Sequence, residues 1–262
     1  VRLWEPMGAP RAVILISHGM AEHIDRYDRL GKHLTARGYL VAGYNHLGHG
    51  AEAPIKGWYA EQDGWGHAVE DLHQVMSWLQ AQYPSIPHIL LGHSMGSFLS
   101  REFVLRHPDS LDALVLCGTG WYPKQLAKAG LLPAKILCAL GREKKKSKFL
   151  DTLAFSSNNK PFKEKDGLVY DWLSRDKAEV QKYADDPLCG FVFTAGGFRD
   201  LFNGLVALSD VNRLKRLPKD LPVHIISGDM DPVGGMGEGV RTVRDQYKDA
   251  GLTDVSMVLY EG

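Results

Sequence analysis

The chain has 262 residues, 44% of them hydrophobic and 24% charged, which is the composition of a globular protein able to bury a sizeable core. Its 31 basic and 31 acidic residues give a formal net charge of zero, which argues against nucleic acid or an anionic membrane as the principal partner. A small-molecule partner is expected instead.

Short apolar runs alternate with longer amphipathic stretches through the first 120 residues. This pattern predicts an α/β fold with a mostly parallel central sheet flanked by helices. Most of the runs are continuously apolar, as expected of strands covered on both faces. The predicted strands are residues 2–4, 12–17, 40–45, 88–92 and 113–117. The predicted helices are residues 27–36, 66–82 and 96–106.

A glycine turn, His18-Gly19-Met20, follows the predicted strand 12–17. Ligands of open α/β sheets bind at the carboxyl ends of the strands, so this turn lies where chemistry is expected. We expect Gly19 to direct the Met20 N–H towards a developing oxyanion. Without a nucleophile nearby, the simpler interpretation is that His18 and Gly19 only turn the chain.

A second loop, NHLGHG at 45–50, closes the predicted strand 40–45. Histidines in such a loop can serve as a base or as metal ligands. Loop histidines are more often structural, and we favour the structural interpretation.

The pentapeptide Gly92-His93-Ser94-Met95-Gly96 stands between the apolar run 88–91 and a predicted helix. This is the strand, corner and helix context of a GxSxG nucleophile elbow, whose glycines avoid collisions with neighbouring elements. We therefore predict that Ser94 is a catalytic nucleophile and that the Met95 N–H is a second oxyanion donor. The alternative is a glycine-rich turn without a chemical role.

The sequence changes character between residues 121 and 208, where proline, lysine and aromatic residues accumulate around helix-like pieces and no comparable strand is predicted. The α/β pattern then returns in strands at 223–227 and 255–260 and a helix at 239–250. We expect an α/β core in two parts, residues 1–120 and 209–262, interrupted by a helical cap or lid insertion at 121–208.

Two carboxylates, Asp229 and Asp231, follow the predicted strand 223–227. A nucleophilic serine needs a histidine base, and a carboxylate fixes the tautomer of that histidine and stabilises its charged form. Asp231 is preferred because Pro232 stiffens the loop next to it. Asp229 is an alternative, and either side chain can instead cap a turn.

In this order, these segments resemble the α/β-hydrolase superfamily, specifically its monoacylglycerol lipase and lysophospholipase-like branch of the serine aminopeptidase S33 type. The resemblance covers nearly the whole chain and is carried by HGMAEHIDRY (18–27), NHLGHG (45–50), GHSMGS (92–97) and SGDMDPVG (227–234). It implies Ser94 as nucleophile, Asp231 as triad acid, and the amides of Met20 and Met95 as oxyanion donors. It also implies that the insertion is a lid over an acyl pocket.

The sequence departs from the family pattern in two loops. The family's usual Asp-x-Arg-Gly-His-Gly is NHLGHG at 45–50, so the acid and the base that brace this loop are absent. Met20-Ala21 stands where members often have a small residue and a glycine, which is expected to narrow the oxyanion side of the pocket.

The family's triad histidine should follow a strand that ends in Tyr-x-Gly, and this chain ends at Tyr260-Glu261-Gly262. No histidine occurs after His224, which lies within a predicted strand and is expected to be buried and structural. We therefore expect that the triad histidine and a final helix are not present in this chain. A first strand before Val1 is expected to be missing as well.

The function that this resemblance implies is a serine hydrolase for carboxylic esters of lipid-like substrates, of the monoacylglycerol or lysophospholipid type, with an acyl-enzyme on Ser94. Alternatives are a thioesterase or aminopeptidase with the same triad, or a non-catalytic binding protein of this fold. No cofactor and no metal is required. The expected partner is a small ester with an apolar acyl chain, without nucleic acid. The basic run 142–148 is expected to be a solvated helix end or loop that makes at most transient contact with a membrane surface.

Three widely spaced cysteines, Cys117, Cys138 and Cys189, show neither a disulfide pattern nor metal-binding spacing, which indicates reduced thiols and a cytoplasmic protein. The longest apolar stretches are far shorter than the ~20 residues of a membrane helix, and the first residues do not resemble a signal peptide. We expect a soluble protein.

Overall fold

The computed structural model describes residues 1–162 and 167–262, and these residues form one seven-stranded sheet with helices between the strands. The strands are β1 Arg2–Trp4, β2 Ala12–Ser17, β3 Tyr39–Gly43, β4 His88–His93, β5 Ala113–Cys117, β6 Val223–Gly228 and β7 Val255–Tyr260. The helices are α1 Asp28–Thr35, α2 Gly64–Gln82, α3 Met95–Arg106, α4 Lys124–Ala139, α5 Lys148–Phe155, α6 Lys177–Asp185, α7 Ala195–Leu208 and α8 Glu238–Asp249. The predicted fold class is confirmed, and every predicted strand is present.

The order of the strands creates a switch point in the sheet. The order is β1-β3-β2-β4-β5-β6-β7, with β1 antiparallel to β3 and the other pairs parallel. After β2 the chain forms β3 on one side of it. It then crosses over to form β4 on the other side, so the direction in which strands are added reverses at β2. The carboxyl ends of strands at such a reversal border the crevice in which α/β proteins bind ligands. Ser17 at the end of β2 is paired there with Gly92 of β4.

Two buried clusters hold this crevice in place, since Leu15 of β2 belongs to the main apolar cluster and the next residue, Ile16, to a second one. All six residues of β2 are buried, as expected of a central parallel strand. Fully buried side chains of α2 and α3, among them Leu72, Met76, Leu99 and Phe103, pack in the main apolar cluster with the sheet. Close packing of this kind allows little movement of the strand ends.

A helical segment, defined here as residues 121–208, connects β5 to β6 and contains α4 to α7 within its described residues. Residues 163–166 of the predicted insertion lie outside the described residues. Helix α4 packs closely on α7, where Gly130 leaves room for the Phe202 ring. Within 1–162 and 167–262, no helix is both long enough and apolar enough to cross a bilayer.

Two local predictions differ from the structure. Strand β3 ends at Gly43 rather than at residue 45, because Asn45 leaves the sheet and its Oδ1 accepts the Ile24 N–H at 2.9 Å. The prediction of a buried His224 is wrong, since its ring is only half-buried and its Nδ1 lies 2.8 Å from Ser256 Oγ on the neighbouring strand β7.

Candidate active site

Ser94 forms a one-residue corner between β4 and α3, as the sequence predicts. Its backbone has φ 52° and ψ −119°, a region that a residue with a side chain rarely adopts and that is typical of a nucleophile elbow. The Ser94 N–H donates to the Cys117 carbonyl at 2.9 Å, and its own carbonyl accepts the Ser97 N–H at 2.8 Å. The hydroxyl has no hydrogen-bond partner among the described residues, so it is left free to react.

The two glycines of the elbow are required by close contacts. A Cβ at Gly96 would lie 2.0 Å from the carbonyl oxygen of Ser17, and one at Gly92 would lie 2.5 Å from the carbonyl oxygen of Gly96. Only glycine fits such approaches. The consequence is that the N-terminus of α3 rests directly on the carboxyl end of β2.

A backbone N–H without a hydrogen-bond partner among the described residues follows each of the strands β2 and β4. After β2, the Gly19 N–H donates to Glu22 Oε1 at 2.5 Å and the Ala21 N–H donates to His49 Nε2 at 3.2 Å. The Met20 N–H between them has no partner within the described part of the chain, and neither has the Met95 N–H in the first turn of α3. Unpaired donors at these two positions are what the predicted oxyanion hole requires.

Glu22 connects the turn after β2 to His93, the residue before Ser94, a role that sequence analysis did not assign. The carboxylate is 2% exposed, and its Oε1 lies 2.8 Å from the Tyr27 hydroxyl and 3.1 Å from His93 Nδ1. Arg26 forms an ion pair with its Oε2. Burial alone would raise the pKa of Glu22, but the hydrogen bond from His93 and the charges of His93 and Arg26 lower it well below its usual range. The sequence signal for this role is the spacing, because an acid three residues after Gly19 can accept the Gly19 N–H across the turn.

His18, His46 and His49 form a buried cluster beneath the turn. The His18 and His46 ring centroids are 4.3 Å apart, and those of His18 and His49 are 5.1 Å apart. Burial lowers the pKa of His18 to about 4 and that of His49 to about 3, so both rings are neutral at pH 7. The His49 Nδ1 donates to the Leu47 carbonyl at 2.9 Å, which leaves Nε2 as the acceptor for Ala21. These bonds support the structural interpretation of the 45–50 loop.

The loop retains support although its usual acid and base are absent. The Asn45 amide packs against Gly50 and accepts the Ile24 N–H, and His46 Nε2 lies 3.0 Å from Ser17 Oγ. Neutral hydrogen bonds therefore replace the ion pair that the family pattern provides.

Asp231 and Asp229 have different surroundings. Asp231 lines a cavity of about 790 Å³ together with Ser94, and its oxygens accept the Val233 N–H at 2.8 Å and the Ser227 hydroxyl at 3.1 Å. Asp229 instead accepts the Gly262 N–H at 2.9 Å. The structure thus brings Asp231 to the cavity that Ser94 lines and uses Asp229 to hold the chain after β7. His93 is the one histidine lining this cavity within the described residues.

His23, Asp186 and Cys189 have potential metal-binding atoms within 4.8 Å of one another. The His23 Nε2 and Asp186 Oδ2 atoms are already 2.8 Å apart in a direct hydrogen bond. Burial raises the pKa of the Cys189 thiol to about 12. This arrangement fits a polar contact between the turn after β2 and the helical segment.

Comparison with known proteins gives one consistent result. The family model described as "Serine aminopeptidase, S33" matches residues 8–262. The chain is 32% identical to human monoglyceride lipase, over all of this chain and 77% of that protein. It is 29% identical to monoacylglycerol lipase of Mycolicibacterium smegmatis, over 89% of this chain and 76% of that protein. A thermostable carboxyl esterase from Bacillus coagulans, solved in complex with glycerol, superposes with a TM-score of 0.88 at 26% identity, over 99% and 84% of the two chains.

Proposed function

The chain belongs to the serine aminopeptidase S33 family of α/β-hydrolases, and from this premise we propose that it cleaves carboxylic esters of lipid-like substrates through an acyl-enzyme on Ser94. One observation carries the proposal. Ser94 has a free hydroxyl on a strained corner, and it lines the same cavity as Asp231. A serine in this conformation, beside two unpaired amides, is the arrangement that acyl transfer requires.

We propose the following course for the reaction. Ser94 Oγ attacks the ester carbonyl carbon while its proton passes to a histidine base, and the Met20 and Met95 amides donate to the oxyanion. Collapse of the tetrahedral intermediate expels the alcohol, which takes that proton, and water then hydrolyses the acyl-enzyme. Asp231 orients the histidine and stabilises its charged form. The family pattern expects this base after a Tyr-x-Gly strand end. The tests below use the full-length protein.

A monoacylglycerol or lysophospholipid type of substrate is the favoured class. Relatives named monoglyceride and monoacylglycerol lipases support it, as does the glycerol bound by the superposed esterase. The helical segment contributes Phe162, Trp172 and Leu173 to the cavity, which fits a lid over an apolar acyl chain.

A chain-length series of p-nitrophenyl esters tests the proposal. We expect Ser94→Ala to lower kcat by at least about 10⁴-fold for every ester, as removal of a triad nucleophile does. Ser85→Ala is the matched control. Ser85 is exposed and lies before the start of β4, at the end of that strand opposite to Ser94. Full activity of Ser94→Ala would end the proposal.

The alternatives predict different outcomes with other substrates and with a covalent probe. A thioesterase would favour acyl thioesters, and an aminopeptidase would favour aminoacyl arylamides over esters of equal length. A non-catalytic binding protein would leave Ser94 unlabelled by a fluorophosphonate probe, whereas an acyl-enzyme mechanism requires labelling.

The helical segment also supports transient contact with an anionic bilayer. Leu132 and Ile136 on α4, Leu140 directly after α4, and Phe149 and Leu153 on α5 are exposed. A cavity of about 450 Å³ between these helices is lined by Arg142, Lys145, Lys146 and Lys148. Exposed apolar side chains next to a basic cluster are typical of interfacial binding.

Vesicle sedimentation tests this contact. We expect the protein to bind phosphatidylserine vesicles better than phosphatidylcholine vesicles, and Lys145→Gln with Lys146→Gln to reduce the difference. Lys215→Gln with Lys248→Gln is the charge-matched control on the exposed surface. Equal binding of the two double variants to phosphatidylserine vesicles contradicts the contact.

The expected location remains the cytoplasm, on the basis of the three widely spaced cysteines.

A further inference from the structure

Ala21, the residue after Met20, is held in a conformation that alanine disfavours. Its φ of 53° lies in the left-handed region, where a Cβ is strained and glycine is normally used. The side chain is buried, so the surroundings must maintain the conformation against relaxation.

Three hydrogen bonds fix the Ala21 peptide groups. Its N–H donates to His49 Nε2 at 3.2 Å, and its carbonyl accepts both the Tyr183 hydroxyl and the Gly190 N–H at 2.9 Å. Tyr183 and Gly190 belong to the helical segment, more than 160 residues further along the chain. The strained turn of the α/β core is therefore held from outside that core.

Tyr183 is well placed to hold the turn. It lies on α6, is 7% exposed, and its ring is stacked beneath the Arg26 guanidinium at 4.9 Å from ring centroid to Cζ. Arg26 pairs with Glu22, which accepts the Gly19 N–H on the other side of Met20. The peptide groups on both sides of Met20 thus depend on one connected set of contacts.

We infer that Tyr183 is a positioning residue for the oxyanion hole: its hydroxyl holds Ala21 in the left-handed conformation and so aims the Met20 N–H. The inference rests on the proposed function. It makes the helical segment a support of the catalytic turn as well as a cover for the substrate, because loss of one hydroxyl there changes the stabilisation of the transition state.

The variant Tyr183→Phe in the full-length protein tests this role, since it removes the hydroxyl and keeps the ring. For a short p-nitrophenyl ester we expect kcat to fall about tenfold with little change in KM, less than the 10²–10³-fold of losing an oxyanion donor outright. Tyr39→Phe is the matched control, because Tyr39 begins β3 at the end of the sheet opposite to the turn after β2, and we expect kcat to be kept.

A double-mutant cycle with Ala21→Gly separates positioning from general loosening of the fold. Glycine adopts the left-handed conformation without strain, so Tyr183→Phe should cost less than about threefold in that background. An undiminished tenfold loss in both backgrounds, or full kcat in Tyr183→Phe alone, overturns the inference. If Ser94→Ala stays active, the proposed function fails instead, which is a distinct result.

Discussion

The Nε2 atom of His18 accepts the backbone N–H of His46 at 3.0 Å, while its Nδ1 donates to the Gly19 carbonyl at 2.8 Å. A ring held between a donor and an acceptor in this way has one tautomer, and a second proton on Nε2 would break the hydrogen bond from His46. His18 therefore joins the ends of β2 and β3 as a neutral imidazole, directly before the turn that carries Met20.

The buried histidines should make stability depend on pH. His18 and His49 have folded pKa values of about 4 and about 3, against about 6.5 in an unfolded chain, so between these values the unfolded state binds more protons. The free energy of unfolding therefore falls as pH drops from about 6.5 to about 4, by on the order of 3 kcal/mol for each ring. Urea unfolding at a series of pH values measures it.

His49→Gln provides the specific comparison, because the glutamine carbonyl can still accept the Ala21 N–H but does not titrate. We expect this variant to flatten the pH dependence relative to the parent. His33→Gln, which removes an exposed imidazole, should leave the slope unchanged. If the free energy of unfolding had the same pH dependence in all three proteins, His49 would not be a source of that dependence.

The two acids after β6 should respond differently to the same substitution. Asp231→Asn is expected to lower kcat for esters by about 10³ to 10⁴-fold with little change in Tm, because an amide cannot fix the histidine tautomer. Asp229→Asn keeps an acceptor for the Gly262 N–H and should change kcat by less than about threefold. Steady-state kinetics of the two variants decide between them, and the opposite ranking would assign the triad acid to Asp229.

Gly96 should tolerate no side chain. Gly96→Ala places a Cβ 2.0 Å from one backbone carbonyl and 2.5 Å from another, and neither can move without disturbing β2. We expect a loss of more than about 4 kcal/mol of stability or failure to fold. Gly8→Ala, where a Cβ meets nothing within 4 Å, should stay within about 0.5 kcal/mol. Denaturant unfolding compares the pair, and a stable Gly96→Ala would show that the contact relaxes.

Glu22 should matter more for stability than a surface glutamate. Glu22→Gln removes the charge that pairs with Arg26 and places an amide NH₂ next to groups that are themselves donors. We therefore expect the free energy of unfolding to fall by about 3 kcal/mol. The control Glu179→Gln breaks a surface pair with Lys182 and should cost less than about 0.5 kcal/mol. Tm and urea midpoints measure both, and equal small effects would refute the role of Glu22.

The sequence by itself determined the elements that depend on neighbouring residues. The elbow pattern is written in five consecutive residues, although Gly96 is required by a contact with Ser17, which is far away in the chain. The buried parallel strands are continuous apolar runs, so their positions were also readable, and the fold class followed from their alternation with helices. The end of β3 was misplaced because Asn45 pairs with Ile24, twenty-one residues away.

Only the tertiary structure decided which distant groups meet. It placed Asp231 on the cavity beside Ser94 and gave Asp229 to Gly262, although both acids follow the same strand. It also brought Tyr183 to Ala21 and three histidines beneath one turn. Hydrogen bonds between residues far apart in the chain leave no periodic pattern in the sequence, since they depend on where packing places each backbone. The sequence pattern of the elbow is therefore local, whereas the support of the turn that carries Met20 is a property of the folded molecule.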